Sequence, residues 1–425
     1  MSVSAREYLS KYSMNPEMVD PTVYAPIMAE AMKKGLNEHD NIPPMIPTYL
    51  RCDGNVPLHK PVVVIDAGGT NFRTGLVTFT EDGYITENVN KRIMPGIGRP
   101  ATWESFISLV ADSIQPLLEK ADDIGFCFSY SAEITPEIDG RVIRIDKEVI
   151  INGCEGRYVG ADLLSELEER GITGKHIVIL NDTAAVLLGG SASLDKSQFG
   201  GLIGQVSGTG TNTCCVVPQS SIGKLEKQGE GSIIINCESG MCDCIPRGRF
   251  DIELDEESAN PGSKFFEKQT AGVYLGELSK LILNAAADEG IFSEYTALNV
   301  RKIFKPDSSV IDAWSVGENL DDFCDNDADR AFIREVADCM FERSARCMCT
   351  NILAIELLTG EGKDPAKPVC VCAEGSLVQK SRRYRPKLEE MLKICGEEGF
   401  GIYTKLVIGN ESTLPGSAAA ALLNR

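Results

Sequence analysis

The sequence predicts an α/β protein of two related lobes with a ligand cleft between them. Three observations carry this reading. Short apolar runs of strand length alternate along the chain with longer amphipathic stretches, which is the α/β pattern. The runs are apolar throughout, as strands covered on both faces are. One unit also occurs twice. Val64-Ile65-Asp66-Ala67-Gly68-Gly69-Thr70-Asn71 is a strand running into a Gly-Thr-Asn turn and back into a strand. Gln205-Val206-Ser207-Gly208-Thr209-Gly210-Thr211-Asn212 repeats it, with the Asn displaced by 212 − 71 = 141 residues. A cleft between two domains that each present such a turn is a natural ligand site.

Taken in order, residues 1–60 hold one amphipathic helix, with Val23, Ile27, Met28 and Met32 as its apolar positions, ahead of Pro43-Pro44. Pro47 and the Asp53-Gly54-Asn55 turn lead to a strand over 62–65, and a Gly-Gly turn leads to a second over 73–79. Further strands are expected over 124–130, 177–180, 202–206, 213–217, 369–372 and 402–408. Helical spacing marks 103–118, 162–170, 183–188, 264–284, 329–358 and 417–423. There is no low-complexity tract and no long linker.

The chain has 425 residues, long enough for two or three domains, and 43% are apolar, so large cores are available. Lys plus Arg is 42 and Asp plus Glu is 62, a net charge of 42 − 62 = −20. That sign argues against nucleic acid or an anionic membrane as partner, but a small anionic ligand needs only a local field. No basic stretch leads into an apolar one at the start, Ser2 excludes a myristoylation signal, and no apolar run approaches the ~18 residues of a membrane span. The expectation is a cytoplasmic protein without a membrane anchor. Fifteen cysteines, an odd number, fit free thiols in a reducing compartment. Cys237, Cys242 and Cys244 crowd one loop, and Cys347/Cys349 and Cys370/Cys372 are CxC pairs. Zinc sites favour wider Cys spacing and usually recruit His, whereas this chain has only His39, His59 and His176. Buried thiols acting as small hydrophobes is the reading adopted, with the 237–244 cluster the one place where a metal stays in view.

Asp66-Ala67-Gly68-Gly69-Thr70-Asn71-Phe72-Arg73 comes straight off an apolar strand. Its glycines let the backbone turn tightly and bring N–H groups close to an anion, Thr70 adds a hydroxyl, and Asp66 is placed to orient a Mg²⁺-bound water. It is neither a Walker turn, which needs Gly-Lys-Ser/Thr opening a helix, nor a dinucleotide turn, which needs a third Gly. An ordinary hairpin competes with phosphate binding here. The echo at Gly208-Thr209-Gly210 favours phosphate, since two turns can grip a nucleotide from both sides. Leu180-Asn181-Asp182-Thr183 ends a strand just before a helix. It reads either as a helix cap or as a general base, Asp182, with Asn181 on a polyhydroxylated substrate. Glu267, near the start of a helix after Asn260-Pro261-Gly262, is open to a dipole role, and Glu238 to a surface one. Arg73 reads equally as a brace for the first turn.

Taken together, these residues resemble the hexokinase family. Asp66–Arg73 is similar to its D-x-G-G-T-N-F-R turn, Phe128-Ser129-Tyr130 to FSF, Asn181-Asp182-Thr183 to N-D-T and Gly208–Asn212 to G-T-G-T-N. Asn260-Pro261-Gly262, Phe266-Glu267-Lys268 and Tyr274-Leu275-Gly276-Glu277-Leu278 follow in family order, with Ile46-Pro47-Thr48-Tyr49-Leu50 before and Arg343-Ser344-Ala345 after. The resemblance implies two actin-like ATPase (ribonuclease H-like) domains flanking a substrate cleft. Residues 61–181 plus 412–425 would form the smaller and 1–60 plus 182–411 the larger. It implies transfer of the γ-phosphoryl group of Mg-ATP to the 6-hydroxyl of a hexose, glucose first, feeding glycolysis.

By position, the resemblance makes Asp182 the base and Lys147 a second catalytic residue. Ser129, Asp146, Lys147, Asn181, Asp182, Asn212, Glu238, Lys264 and Glu267 would line the sugar. Asp66, Gly68, Gly69, Thr70, Asn71, Arg73, Gly208, Thr209, Gly210, Gly375, Ser376, Gly416 and Ser417 would hold ATP, with Mg²⁺ reached from Asp66 through water. The partners are then hexose and ATP, and a homo-oligomer is compatible. The chain departs from the family pattern at Asp146, where Thr is usual, Ser131 for Pro, Lys264 for Gln, Ser239 for an aromatic, Glu374 for Asp and the 412–415 loop. Asp146 and Lys264 are charged additions that bear on which hexose is taken. A catalytically weak hexose sensor on the same fold, and a protein-binding actin-like ATPase, are the alternatives.

Overall fold

The computed structural model describes residues 3–145, 149–192, 194–225, 227, 229–303 and 305–425. Two sheets organise it. Their strands are β1 (Ile46–Pro47), β2 (Pro61–Gly68), β3 (Asn71–Thr80), β4 (Gly83–Ile93), β5 (Asp123–Phe128), β6 (His176–Leu180), β7 (Gly201–Ser207), β8 (Thr211–Pro218), β9 (Ser232–Asn236), β10 (Val369–Glu374) and β11 (Thr404–Ile408). The five-stranded sheet runs β6-β5-β2-β3-β4 and the six-stranded sheet β1-β9-β8-β7-β10-β11. Each contains an antiparallel three-strand meander, β2-β3-β4 or β7-β8-β9, extended by two parallel strands beside its first member, and the larger sheet adds β1 antiparallel to β9. The 141-residue echo in the sequence is therefore a repeat of topology, and each copy turns at its Gly/Thr motif.

Between the sheets lie two helices. Asp182–Ser191 packs on β7 and β10, Thr413–Leu423 packs on β2, β5 and β6, and the two pack on each other. Their approach is close because the contact residues are small. A Cβ on Gly416 would stand 1.9 Å from the Ala185 carbonyl oxygen, and one on Gly125 would stand 2.0 Å from that of Ser417. Ala184, Ala185 and Ala418–Ala421 fill this central layer with Val62, Val64, Leu180 and Cys214. The outer face of the smaller sheet is covered by Trp103–Ile114 and Val159–Glu169. The largest core lies over the six-stranded sheet, under Pro21–Asn37, Gly272–Asp288 and the 33-residue helix Asp327–Thr359.

Several expectations are corrected in detail. Met28 and Met32 are buried as expected, but Val23 and Ile27 are 52% and 49% exposed, and Ala25, Ala29 and Leu36 complete the buried stripe of Pro21–Asn37. Strand β4 went unread because nearly all its residues are exposed and its pattern lacks an apolar stripe; pairing with β3 holds it. Strand β9, with its Ile233-Ile234-Ile235 run, is a further strand absent from the expected set, and it sits buried between β8 and β1. The single helix expected over 264–284 breaks at Ala271 into Phe265–Thr270 and Gly272–Asp288. The break delivers the Gly272 N–H to the Gly208 carbonyl at 2.8 Å, tying the second helix to the second Gly/Thr turn.

All fifteen cysteines are free thiols and all but the half-buried Cys244 are buried, consistent with their use as small hydrophobes. Among the described residues, no group of three or more His, Cys, Asp or Glu side chains is arranged to hold a metal ion. No helix among them is long and apolar enough to cross a membrane.

Candidate active site

The two Gly/Thr turns face one cavity of about 810 Å³ between the sheets. The first turn is a tight hairpin in which Gly68 and Asn71 are register partners and Gly69 takes φ +55°. That left-handed conformation favours glycine, and the space where a Gly69 Cβ would stand is open. Beneath the turn, Asp66 and Arg73 face each other across β2 and β3. Arg73 Nε and Nη2 both donate to Asp66 Oδ2, at 2.8 and 2.7 Å. Asp66 Oδ1 is left on the turn side, 3.5 Å from where a Gly68 Cβ would stand. Burial pushes the Asp66 carboxyl up, Arg73 opposes this, and Asp182 and Glu374 add to it.

The second turn joins β7 to β8, with Ser207 opposite Thr211 and the Gly208 N–H bonded to the Gly210 carbonyl at 3.0 Å. Both glycines are needed for close packing. A Cβ on Gly210 would lie 2.9 Å from Glu267 Oε2, and one on Gly208 would lie 3.3 Å from the Ser376 nitrogen. Gly375, at φ +120°, brings the start of Ser376–Lys380 against Ser207 and completes this wall. The Thr211 hydroxyl is buried here and makes no hydrogen bond.

Asn181 is the N-cap of Asp182–Ser191, its Oδ1 accepting the Ala184 N–H at 3.1 Å. Asp182 is half-buried, lines the cavity, and accepts the Thr183 hydroxyl at 3.2 Å. Opposite it, Asn212 Nδ2 donates to Asn236 Oδ1 at 2.9 Å, and Asn236 Nδ2 donates to Glu238 Oε1 at 2.8 Å. Glu238 holds a left-handed backbone, φ +51°, and lines the cavity rather than lying on the surface. Burial pushes its carboxyl up, against the Asn236 bond. Glu267 Oε2 accepts the Thr211 N–H at 3.2 Å, and its Oε1 lies 3.5 Å from Lys264 Nζ.

The segments that follow Glu238 and flank Glu267 are held by the helix Arg249–Glu257. Asp251 and Asp255, four residues apart, share one helix face. Asp251 takes Arg343 on both oxygens, at 3.0 and 2.6 Å, and also the Gly248 N–H at 2.7 Å. Asp255 takes Lys268 Nζ at 2.5 Å and the Gly262 N–H at 3.0 Å, while Lys268 Nζ also donates to the Asn260 carbonyl at 2.9 Å. The Asn260-Pro261-Gly262 turn, which borders the cavity, is thus pinned at both ends.

Residues 4–192 match one hexokinase family model and residues 202–423 match a second. The chain belongs to the hexokinase family. It is 30% identical over 398 residues to Hexokinase-1 of Schizosaccharomyces pombe, covering 86% of this chain and 80% of that one. It is 28% identical over 396 residues to the hexokinase of Kluyveromyces lactis, covering 85% and 79%. Among solved structures, hexokinase from Schistosoma mansoni complexed with glucose superposes with a TM-score of 0.74 at 21% identity, over 99% of this chain and 100% of that one. A glucokinase of the ROK family from Streptomyces griseus, in complex with glucose and AMPPNP, gives 0.52 at 15% identity, over 85% and 98%. The fold is the hexokinase fold of two actin-like ATPase-type domains.

Of the residues singled out from sequence in this hexokinase-family chain, Gly69, Thr70, Ser129, Asp182, Gly208, Thr209, Gly210, Asn212, Glu238, Lys264, Glu267, Gly375 and Ser376 line the one cavity. Others stand back from it. Asp66 and Arg73 brace the first turn from below, Gly68 abuts Ser129, Asn71 is exposed, and Asn181 caps its helix. Gly416 and Ser417 are buried inside Thr413–Leu423, where Ser417 Oγ donates to the Thr413 carbonyl at 2.8 Å. As placed, they pack helix on helix and helix on sheet rather than forming a loop on the cavity. Asp146 and Lys147 lie outside the described residues. Sequence reasoning passed over Thr211, Asn236, Asn260, Met241 and Tyr274. Thr211, Asn260 and Tyr274 lie within the motifs named above; Asn236 carries no local signal, because its role depends on β9 lying beside β8.

Proposed function

We propose that the chain is an ATP-dependent hexokinase that transfers the γ-phosphoryl group of Mg-ATP to the 6-hydroxyl of a hexose, glucose first. The observation that carries this is one cavity lined both by two Gly/Thr turns suited to phosphates and by carboxylates and amides suited to sugar hydroxyls. Asp182 is the general base that takes the hydroxyl proton as the oxygen attacks phosphorus. Asn212, Glu238 and Glu267 orient the sugar, with Ser129 at the edge of the smaller sheet. The bare backbone of Gly69 and of Gly208–Gly210, with the hydroxyls of Thr70, Thr209 and Thr211, takes the phosphate oxygens.

The donor set fits Mg-ATP as substrate. Asp66 Oδ1 is left beside the turn, and Asp66, Asp182 and Glu374 crowd negative charge that a Mg²⁺-neutralised triphosphate tolerates better than a bare one. Bound Mg²⁺ would supply charge neutralisation on the triphosphate, and Asp66 is the residue that would hold it, through water. The lobes 61–181 with 412–425 and 1–60 with 182–411 close over the sugar and exclude water that would otherwise accept the phosphoryl group.

The test is ADP formation by purified protein with Mg-ATP and a panel of hexoses. Hexose-dependent turnover that falls about 10²–10⁴-fold in Asp182→Ala, with sugar binding retained, is the expected result. Hexose binding without turnover in the wild type would point to the sensor reading. ATP hydrolysis indifferent to hexose would point to an actin-like ATPase.

A further inference from the structure

Among the described residues lining the cavity, Lys264 is the one cation, set against the carboxylates of Asp182, Glu238 and Glu267. Its place is fixed by the chain on either side. Lys264 is the N-cap residue of Phe265–Thr270 with a left-handed backbone, φ +55°, ψ +42°. Two residues before it, the Gly262 N–H is held by Asp255; four residues after it, Lys268 is held by the same carboxylate. Its Nζ stands 3.5 Å from Glu267 Oε1, while the other oxygen of Glu267 takes the Thr211 N–H. The Lys264 side chain is 35% exposed and faces Glu267 from the cavity wall. The charges act on one another across the cavity. After burial and the Asn236 bond, Asp182 and Glu267 raise the Glu238 carboxyl and Lys264 lowers it.

We infer that Lys264 makes this sugar site select neutral hexoses against hexosamines whose amine is protonated. The inference rests on the sugar-kinase reading above and adds its substrate preference. A pocket of three carboxylates alone attracts an ammonium-bearing sugar. The fixed Lys264 charge cancels one carboxylate and repels a second cation. Hydrogen bonding acts in the same direction. A lysine ammonium is a donor with no acceptor, so a sugar hydroxyl can accept from it, whereas a protonated amine presents a donor to a donor. Specificity of this kind comes from the repulsive element as much as from the attractive one.

The experiment measures kcat/KM and equilibrium binding for glucose and glucosamine, below the amine's titration, in wild type, Lys264→Gln, Lys264→Met and Lys264→Arg. The glucosamine-to-glucose ratio is expected to rise about tenfold in the Gln and Met variants and to stay at the wild-type value in Arg. A ratio that stays within a factor of two, or falls, in both neutral variants overturns the inference. If no hexose is turned over by the wild type, the kinase reading fails instead, and the binding ratio still decides the role of Lys264.

Discussion

Thr211 carries a buried hydroxyl that the folded chain leaves without a partner, at the edge of a cavity built for a ligand. A buried polar group without a hydrogen bond is destabilising, so its natural partner is a bound one. Thr211→Val is expected to leave thermal stability unchanged or slightly higher. KM for ATP or hexose should rise about five- to tenfold, from the loss of one hydrogen bond. Unchanged steady-state constants for both substrates would remove Thr211 from the site. Asp182 and Asn181 show how two neighbouring residues, alike as caps on paper, separate once the helix start is placed. Glu356 poses a different question. It is fully buried, Oε1 accepts the Thr404 hydroxyl at 2.7 Å and Oε2 has no partner, and burial lifts its carboxyl from 4.5 to about 8. The folded protein therefore keeps this proton where an unfolded carboxyl has lost it. The contribution is full below pH 4.5 and is lost as pH rises through about 8. Urea midpoints from pH 5 to 8.5 should fall in the wild type by the equivalent of about 4 kcal/mol. They should fall less in Glu356→Gln; parallel slopes would refute the assignment.

At the scale of elements, the short helix Arg249–Glu257 acts as a staple. Its two carboxylates hold the loop before it, through Gly248 and Arg343, and the loop after it, through Gly262 and Lys268. Both ion pairs are buried, and removing one partner from such a pair costs about 3–5 kcal/mol. Lys268→Met should lower stability by that order. Because Lys268 also grips the Asn260 carbonyl, KM for hexose should rise more than kcat falls in the fraction that folds. Lys268→Arg should restore part of both. A loss of stability with KM untouched would make the pair a fold device alone. Elements of this kind are only partly readable in sequence. The apolar strands β2, β5, β6, β7, β8 and β10 announce themselves because burial on both faces demands unbroken apolar runs. Edge strand β4 does not, since pairing with β3 rather than burial defines it. The break at Ala271 is hidden too, because the helical spacing continues across it.

For the molecule as a whole, the decisive feature is a repeated meander whose two copies meet through a thin layer of small residues. The crossing of Asp182–Ser191 and Thr413–Leu423 depends on Gly416, where any Cβ meets the main chain of Ala185. Gly416→Ala should destabilise by about 1–3 kcal/mol through overpacking, measured by denaturant unfolding. If it does not, the two helices are free to spread, and the layer does not fix the relation of the sheets. The same crossing sets where Asp182 stands relative to the first Gly/Thr turn, so hexose turnover should fall in this variant as well.

Local patterns in the chain are enough to specify the two turns, the strands that lead into them and the carboxylate at the start of Asp182–Ser191. These are local matters: a glycine at a tight turn, an apolar run and a residue ahead of a helix constrain only their neighbours in the chain. The tertiary structure alone decided which of these residues share a cavity. Glu238 came to the site because β9 pairs with β8, and Lys264 came to face Glu267 because a helix starts between them. Gly416 and Ser417 were drawn into the interior because two helices had to touch. Contacts between residues far apart in the chain follow from sheet pairing and helix crossing, and no local pattern encodes them.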